Sequence, residues 1–358
     1  MRICLIADGT VHTQRWATYF VQQGDEVHLI TYEQPKIAFE GVKLHVLTSF
    51  FHNIYVSFIP RHIKIYFLVK QLKPDVIHAH FISKFGFHAA FLGMSPVLMS
   101  AWGDDILIIP YWSKLLWFLT KVSLKQADRI YAVSDDIANK IIRDFKINRE
   151  YVKVVPFGVD TDLFRPEARK ENGKRVIVFS NRSFYKVYNI ETFIRAIPIV
   201  LEYNKNIFFV IKGSGPFENS LKKLVDELSL AEYVRFIGWT KYEEMPKYLN
   251  ECDIYVSTAL SDGTPVSVLE AMASGTACIV TNVGGVSEWI KDNVNGLLIP
   301  PQRPDILAQK ILELAKDTEK RKIFGKEARQ TIIQKGKWEN IMKGVRKDYE
   351  EFAKKYEL

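Results

Sequence analysis

Ser261–Gly275, SDGTPVSVLEAMASG, is the stretch on which the fold reading turns. Asp262 lies in a Gly/Pro turn, and Glu270 follows in a run of small and apolar residues that closes on Gly275. Thr264 is placed to cap a helix over Val266–Ser274, with Pro265 in its first turn. Free backbone N–H groups at a helix start form a ready anion site. Two carboxylates beside such a site fit a ligand that carries both phosphate and hydroxyls, as a nucleotide sugar does. The apolar run DIYVST precedes the stretch and ACIVTN follows it. Strand, helix and strand in that order are the repeat unit of a parallel sheet.

The same alternation runs outward in both directions. Toward the C-terminal half, RVIVFS, IFFVIKG, VRFIG, DIYVST, ACIVTN and GLLIP read as strands. Helices are expected between them over Ile190–Tyr203, Asn219–Ser229, Glu243–Asn250 and Val266–Ser274. In the N-terminal half the strands are RICLIA, EVHLIT, VKLHVL, DVIHAH, PVLMSAW, RIYAVS and VKVVPFG. Helices are expected over Arg15–Gln23, Ile63–Leu72, Leu115–Lys125 and Asp135–Phe145. Short apolar strands separated by helices imply parallel sheets covered on both faces.

A chain of 358 residues is long enough for two domains. The fold class expected is α/β, with two Rossmann-like doubly wound domains facing a central cleft. The first spans 1–163. The polar segment FRPEARKENGK at 164–174 reads as a linker. The second domain spans 175–335. In 336–358, Trp338, Ile341, Met342, Val345, Tyr349 and Phe352 recur at helical spacing, which makes a final helix crossing back to the first domain. In such folds the ligand lies at the carboxyl ends of the strands. The fold alone does not choose among dehydrogenases, epimerases and glycosyltransferases.

Hydrophobic content of 47% and charged content of 25% are those of a soluble globular protein. Cys4, Cys252 and Cys278 are scattered, with neither metal spacing nor a disulfide framework, and read as thiols in a reducing compartment. MRICLIADG is too short for a signal peptide, and no apolar run reaches the length of a membrane span. The expected location is cytoplasmic. Net charge is +8. From Phe50 to Lys125, eight Lys/Arg stand against three acids, among many Trp, Tyr and Phe. Basic residues interleaved with aromatics suit an anionic membrane surface, so a peripheral place on the inner face of the cell membrane is one reading. The other is an ordinary amphipathic helix with Trp117 and Phe118 turned to the core. No nucleic-acid-binding motif accompanies the charge.

Several loops carry residues suited to a phosphate-bearing ligand. Arg182 and Lys186 follow RVIVFS. Arg182 offers a fork for phosphate oxygens and Lys186 a point charge, unless both sit on a solvated loop. Gly213 and Gly215, in KGSGP, allow close backbone approach at the next strand end. Gly284, Gly285 and Glu288 follow ACIVTN. Four loops thus converge on one edge of the second domain. In the first domain, Gly9 and Thr10 follow the first strand with a single glycine, which counts against a dinucleotide site there. His78 and His80 end DVIHAH and point to one face, with His80 at the tip. Trp102, Gly103, Asp104 and Asp105 end PVLMSAW. Those acids either hold acceptor hydroxyls or cap the next helix, and two adjacent Asp do not make a metal site.

Together these residues resemble the retaining GT-B glycosyltransferases of family 4, the glycogen-synthase-like and mannosyltransferase-like group. The resemblance covers nearly the whole chain. It is most specific in SDGTPVSVLEAMASGTACIVTNVGGVSEWIKDNVNGLLIPP, which looks like the family's E-x7-E region with its GG-x-x-E and NG-L-L turns. VVPFGVDTDLFRP, HTQRW and SAWGDDI are also similar to members. Here the first acid of E-x7-E is Asp262, one methylene shorter. Lys186 lies one residue nearer Arg182 than is common, without the usual glycine after it.

The resemblance implies retaining transfer of a sugar from a nucleoside-diphosphate donor to a hydroxyl of a glycan or lipid-linked acceptor, with no metal and no cofactor. Glu270 would hold the donor ribose. Asp262 would contact the donor sugar or position its phosphate loop. The backbone of Gly263, Thr264, Pro265 and Val266 would line the sugar–phosphate pocket. Arg182 and Lys186 would stabilise the departing diphosphate. His80 would lie near the transferred sugar, and Gly9 and Thr10 would close over the donor. A sugar-nucleotide epimerase and a catalytically silent nucleotide binder are the alternatives on this fold.

Overall fold

The computed structural model describes residues 1–48, 54–167, 175–238 and 240–356, with backbone only for 54–56. Most of the expected linker, 168–174, lies outside these residues, as do Phe50, Phe51, His52 and Asn53 of the basic aromatic region. The chain divides into two compact units. Unit 1 comprises Met1–Pro156 and Met342–Leu358, and unit 2 comprises Phe157–Ile341.

All thirteen strands read from the sequence form. In unit 1 they are β1 (Arg2–Ile6), β2 (Glu26–Thr31), β3 (Lys43–Val46), β4 (Val76–His80), β5 (Val97–Ala101), β6 (Arg129–Ala132) and β7 (Val152–Val154). They make one parallel sheet in the order β3-β2-β1-β4-β5-β6-β7. In unit 2 they are β8 (Val176–Ser180), β9 (Ile207–Lys212), β10 (Val234–Ile237), β11 (Ile254–Ser257), β12 (Ala277–Thr281) and β13 (Leu297–Ile299). Their order is β10-β9-β8-β11-β12-β13, again parallel.

Strand alternation supplies unit 2 with two cores. Val178, Phe209, Ile211, Val256 and Ile279 face one way, with Phe193, Ile197 and Ile311 from the covering helices. Phe179, Val210, Tyr255, Cys278 and Val280 face the other way, with Leu269, Met272 and Ile332. The helices Pro304–Lys316 and Thr318–Lys335 were not among the elements expected from sequence. TEKRKIFGKEARQTIIQK is polar almost all round, so its periodicity is weak. Leu307, Ile311 and Leu314 of the first helix do carry the pattern and are fully buried.

In unit 1 the returning C-terminal helix, part of Trp338–Tyr356, closes one face of the sheet. Tyr349 is fully buried and stacks on Phe20 with centroids 4.6 Å apart. Lys153 Nζ donates to both carboxylate oxygens of Asp348, at 2.7 and 2.8 Å, and Tyr131 donates to the same carboxylate at 3.1 Å. Trp117 and Phe118 divide between the two sequence readings. Trp117 stacks on Phe145 at 5.6 Å, whereas Phe118 is 57% exposed.

Candidate active site

In each sheet the strand order reverses once, between β1 and β4 and between β8 and β11. Such a reversal opens a crevice at the carboxyl ends of the two strands. An ion pair spans each crevice. In unit 2, Arg182, two residues past β8, donates from Nη2 to Asp262 Oδ2 at 2.6 Å and from Nη1 to Ser267 Oγ at 2.8 Å. The Tyr188 ring lies 4.1 Å from the guanidinium carbon. Arg182 Nε is buried and has no hydrogen-bond partner. Burial raises the Asp262 pKa above its ordinary value, and Arg182 opposes that shift. Arginine stays charged in proteins, so Asp262 faces a fixed positive charge.

Four loops meet around that pair. Phe184 N–H donates to Ser214 O at 2.9 Å, and Phe217 N–H to Phe184 O at 3.1 Å. Leu260 N–H donates to Val187 O at 2.7 Å, and Thr258 Oγ1 to Asn189 O at 2.9 Å. Gly285 N–H donates to Asp262 O at 3.1 Å. The glycines permit this closeness. At Gly215 a Cβ would stand 2.7 Å from Phe184 O, and Gly213 is packed likewise against Arg182 O. Gly284 has φ +51°, and a Cβ there would overlap Asp262 O. Gly263, Thr264 and Pro265 are buried beneath the site, while Val266 is partly exposed.

Glu270 is 5% exposed and accepts from Tyr242 Oη at 2.9 Å. Lys212, at the tip of β9, is 6% exposed. Burial lowers its pKa, against the attraction of Glu244 and Glu270. Ser267, Tyr188 and Lys212 were missed in the sequence. Lys212 had a signal, since it is a cation at a strand's carboxyl end directly before a Gly-x-Gly turn.

Other expected residues lie elsewhere. Lys186 is exposed in the 3-10 turn Lys186–Tyr188 and stays outside the Arg182 cluster. Glu288 is partly exposed at the end of the turn Gly284–Glu288. The helix over Val266–Ala273 has Pro265, not Thr264, at its N-cap, and Pro265 brings no capping side-chain bond. Its cyclic side chain has no hydrogen-bonding group, so this helix start lacks the side-chain cap expected of Thr264.

In unit 1, Lys84 Nζ donates to both oxygens of Asp8, at 2.7 and 2.8 Å, joining the loops after β4 and β1. Neither residue was among the sequence candidates. Thr10 caps the helix Val11–Gln22, accepting from Thr13 N–H at 3.3 Å. Gly9 packs against Pro35. His80 ends its strand as expected and is 1% exposed. Its ring lies 4.9 Å from Trp102 and 5.3 Å from Trp16 between centroids, and Thr13 Oγ1 is 3.4 Å from Nδ1. Its Nε2 is buried without a partner. Burial, then neighbouring His12, lowers its pKa to about 3, so the ring is neutral at pH 7.

Asp105 is fully buried and serves the backbone. Oδ1 accepts from Trp102 and Gly103 N–H at 3.0 and 2.8 Å, and Oδ2 from Ile82 N–H at 2.8 Å. Asp105 does not cap the next helix, since Asp104–Leu107 starts without a side-chain capping bond; it holds the backbone ahead of that helix instead. Asp104 is exposed beside it, and Gly103 is buried. Among the described residues, no group of three or more His, Cys, Asp or Glu could hold a metal ion, and no helix is long and apolar enough to cross a membrane.

Two parallel sheets of seven and six strands, flanked by helices, are the architecture of GT-B glycosyltransferases. A sequence model described as "Glycosyl transferases group 1" matches residues 160–331, and one described as "Glycosyl transferase 4-like" matches residues 2–134. The chain belongs to this glycosyltransferase family. It is 26% identical over 364 residues to an uncharacterized glycosyltransferase of Methanocaldococcus jannaschii, covering 93% of this chain and 91% of that one. It is 25% identical over 295 residues to the UDP-Gal:alpha-D-GlcNAc-diphosphoundecaprenol alpha-1,3-galactosyltransferase of Escherichia coli, covering 76% and 74%. Among solved structures, Anabaena HepE in complex with UDP-glucose superimposes with a TM-score of 0.83 at 17% identity, over 98% of this chain and 100% of that one.

Proposed function

We propose that this glycosyltransferase moves a sugar from a nucleoside-diphosphate sugar to an acceptor hydroxyl, with retention of anomeric configuration and without a metal. The observation that carries the reading is Arg182, a buried guanidinium held over the β8/β11 crevice by Asp262 and Ser267. As the glycosidic bond stretches, negative charge grows on the leaving diphosphate. A preorganised guanidinium in a site shielded from water stabilises that charge by several kcal/mol. Phosphate oxygens compete with the Asp262 carboxylate for the same fork, and Asp262, released, is free to contact the donor sugar. Glu270 holds ribose hydroxyls, with Tyr242 fixing its orientation. The backbone of 263–266 and the Gly213–Gly215 and Gly284–Gly285 turns give the phosphates room. In the same-face mechanism the leaving phosphate takes the acceptor proton, so no protein nucleophile is required.

The E. coli relative is named for a UDP-sugar donor and a lipid-diphosphate-linked acceptor, and HepE holds UDP-glucose. Both support a nucleotide-sugar donor here. A lipid-linked or cell-envelope glycan is the acceptor class that the E. coli name favours. A thermal-shift panel of UDP, GDP and ADP tests the donor. A ligand at a hundred times its Kd adds about 2.7 kcal/mol, which for a unit of this size moves Tm by roughly 5–10 °C. One nucleotide should do so, and no shift with any of the three would sink the reading. Mass analysis with the matching sugar nucleotide should then show free nucleoside diphosphate and a new glycoside. Proton coupling at the anomeric centre reports retention.

A further inference from the structure

The apolar surface of unit 1 is concentrated on two of its helical segments. Ile59, Ile63 and Phe67 are 67%, 50% and 63% exposed on the helix Ile54–Leu72. Their spacing of four residues places them on one side of that helix. The other side is apolar too, with Ile65 and Val69 fully buried. A helix apolar on both sides belongs between two apolar layers, and within unit 1 the sheet supplies one. Trp112, Leu115 and Phe118 are 69%, 65% and 57% exposed, in the turn Ile109–Trp112 and the helix Lys114–Gln126.

Both segments cover the same face of the sheet. The crossovers from β3 to β4 and from β5 to β6 run in the same direction along the strand order. Right-handed crossovers in one direction lie on one face. Packing agrees, because the short helix Phe87–Ala90 bridges them. Its His88 stacks on Phe58 at 4.2 Å, and the same helix packs against Lys114–Gln126.

Charge says what covers this face. Residues 54–72 contain Arg61, Lys64 and Lys70 and no acid, and residues 109–126 contain Lys114, Lys121 and Lys125 and no acid. Lys64, Lys70, Lys114 and Lys125 are exposed. A second copy of the chain would set lysines against lysines. An anionic lipid surface offers the opposite charge and an apolar interior together. We propose that this face of unit 1 docks on an anionic bilayer, the six exposed apolar side chains entering the interface and the lysines meeting the headgroups. The docking rests on unit 1 alone and is independent of the sugar-transfer reading.

Sedimentation of the full chain with vesicles, in the absence of nucleotide, tests it. Vesicles of phosphatidylcholine with phosphatidylglycerol should carry the protein down at low salt and release it at high salt, whereas phosphatidylcholine alone should not. The double variant Ile63→Glu/Phe67→Glu should lower the bound fraction at least tenfold. Lys64→Gln and Lys70→Gln should each weaken binding about fivefold. All these side chains are exposed, so lipid-free melting should be unchanged. Wild-type protein that stays in solution with the anionic vesicles overturns the proposal, as does wild-type binding by the Glu variant. So does a dimer in sedimentation velocity that the Glu substitutions dissolve, which would assign the face to a second copy.

Discussion

Arg182 and Asp262 are one unit, because each sets a charge against the other's in a site largely closed to water. Arg182→Ala would strand a buried carboxylate, and breaking a buried pair costs about 3–5 kcal/mol. The loss of activity in that variant would be mixed with loss of stability. Arg182→Lys separates the two effects. It keeps a charge beside Asp262 but loses the fork that also reaches Ser267. Turnover should fall about 100-fold or more, with Tm within a few degrees of wild type in a melting scan. A near-wild-type rate would remove Arg182 from the mechanism. Gly284→Ala is the second test at this scale. Its φ of +51° and the Asp262 carbonyl beside it leave no room for a methyl group, so the loop carrying Asp262 must move. Donor affinity in calorimetry should drop at least tenfold while the β12 core stays intact.

At the scale of elements, the C-terminal helix decides whether unit 1 holds together. It brings Tyr349 onto Phe20 and Asp348 onto Lys153 and Tyr131, and Arg346 donates to Asp25 at 2.6 Å. A chain ending at Ile341 uncovers Phe20, His78 and Tyr131, against which that helix packs. Removing one buried aromatic alone costs about 3–5 kcal/mol, and typical domain stability is about 5–15 kcal/mol. Truncation should therefore unfold unit 1, seen as loss of its protease resistance, while a fragment over unit 2 stays resistant. A truncated chain that keeps a protected unit 1 would show the helix to be dispensable. The turn after β5 depends on Asp105 in the same way. Asp105→Asn cannot accept three backbone N–H bonds and should cost about 1–3 kcal/mol in a denaturant titration.

Across the whole molecule, the histidines are placed unevenly. All eight precede residue 89, in unit 1. Burial lowers His12 to about 4, with Arg15 adding to it, and His80 and His88 to about 3. The unfolded chain binds protons at these positions near pH 6.5, and the folded unit does not. Stability is therefore complete above pH 6.5 and falls as the pH drops toward 3. Burial raises Asp105 to about 6, which acts in the opposite sense between about pH 4 and 6, one group against the six histidines whose pKa burial lowers, His12, His45, His62, His78, His80 and His88. Calorimetry from pH 7.5 to 5 should show the unit 1 transition moving down several degrees while the histidine-free unit 2 moves far less. Equal shifts in both units would refute the account.

Local pattern determined much of this protein. Strand apolarity and helix periodicity were enough for thirteen strands and two doubly wound halves, because each element must bury a face wherever it ends up. Helical spacing of apolar residues marked the final helix in the same way. That Arg182 and Asp262 come to one sheet edge was legible, because strand ends and Gly/Pro turns carry them there. Only the tertiary structure decided which charges meet. Arg182 pairs with Asp262, Lys84 with Asp8, and Lys186 remains in solvent. It also decided that Asp105 serves backbone N–H groups, that His80 is sealed, and that Trp117 is packed while Phe118 is not. Composition and periodicity state what a residue needs, whereas burial and pairing depend on neighbours far away in the chain.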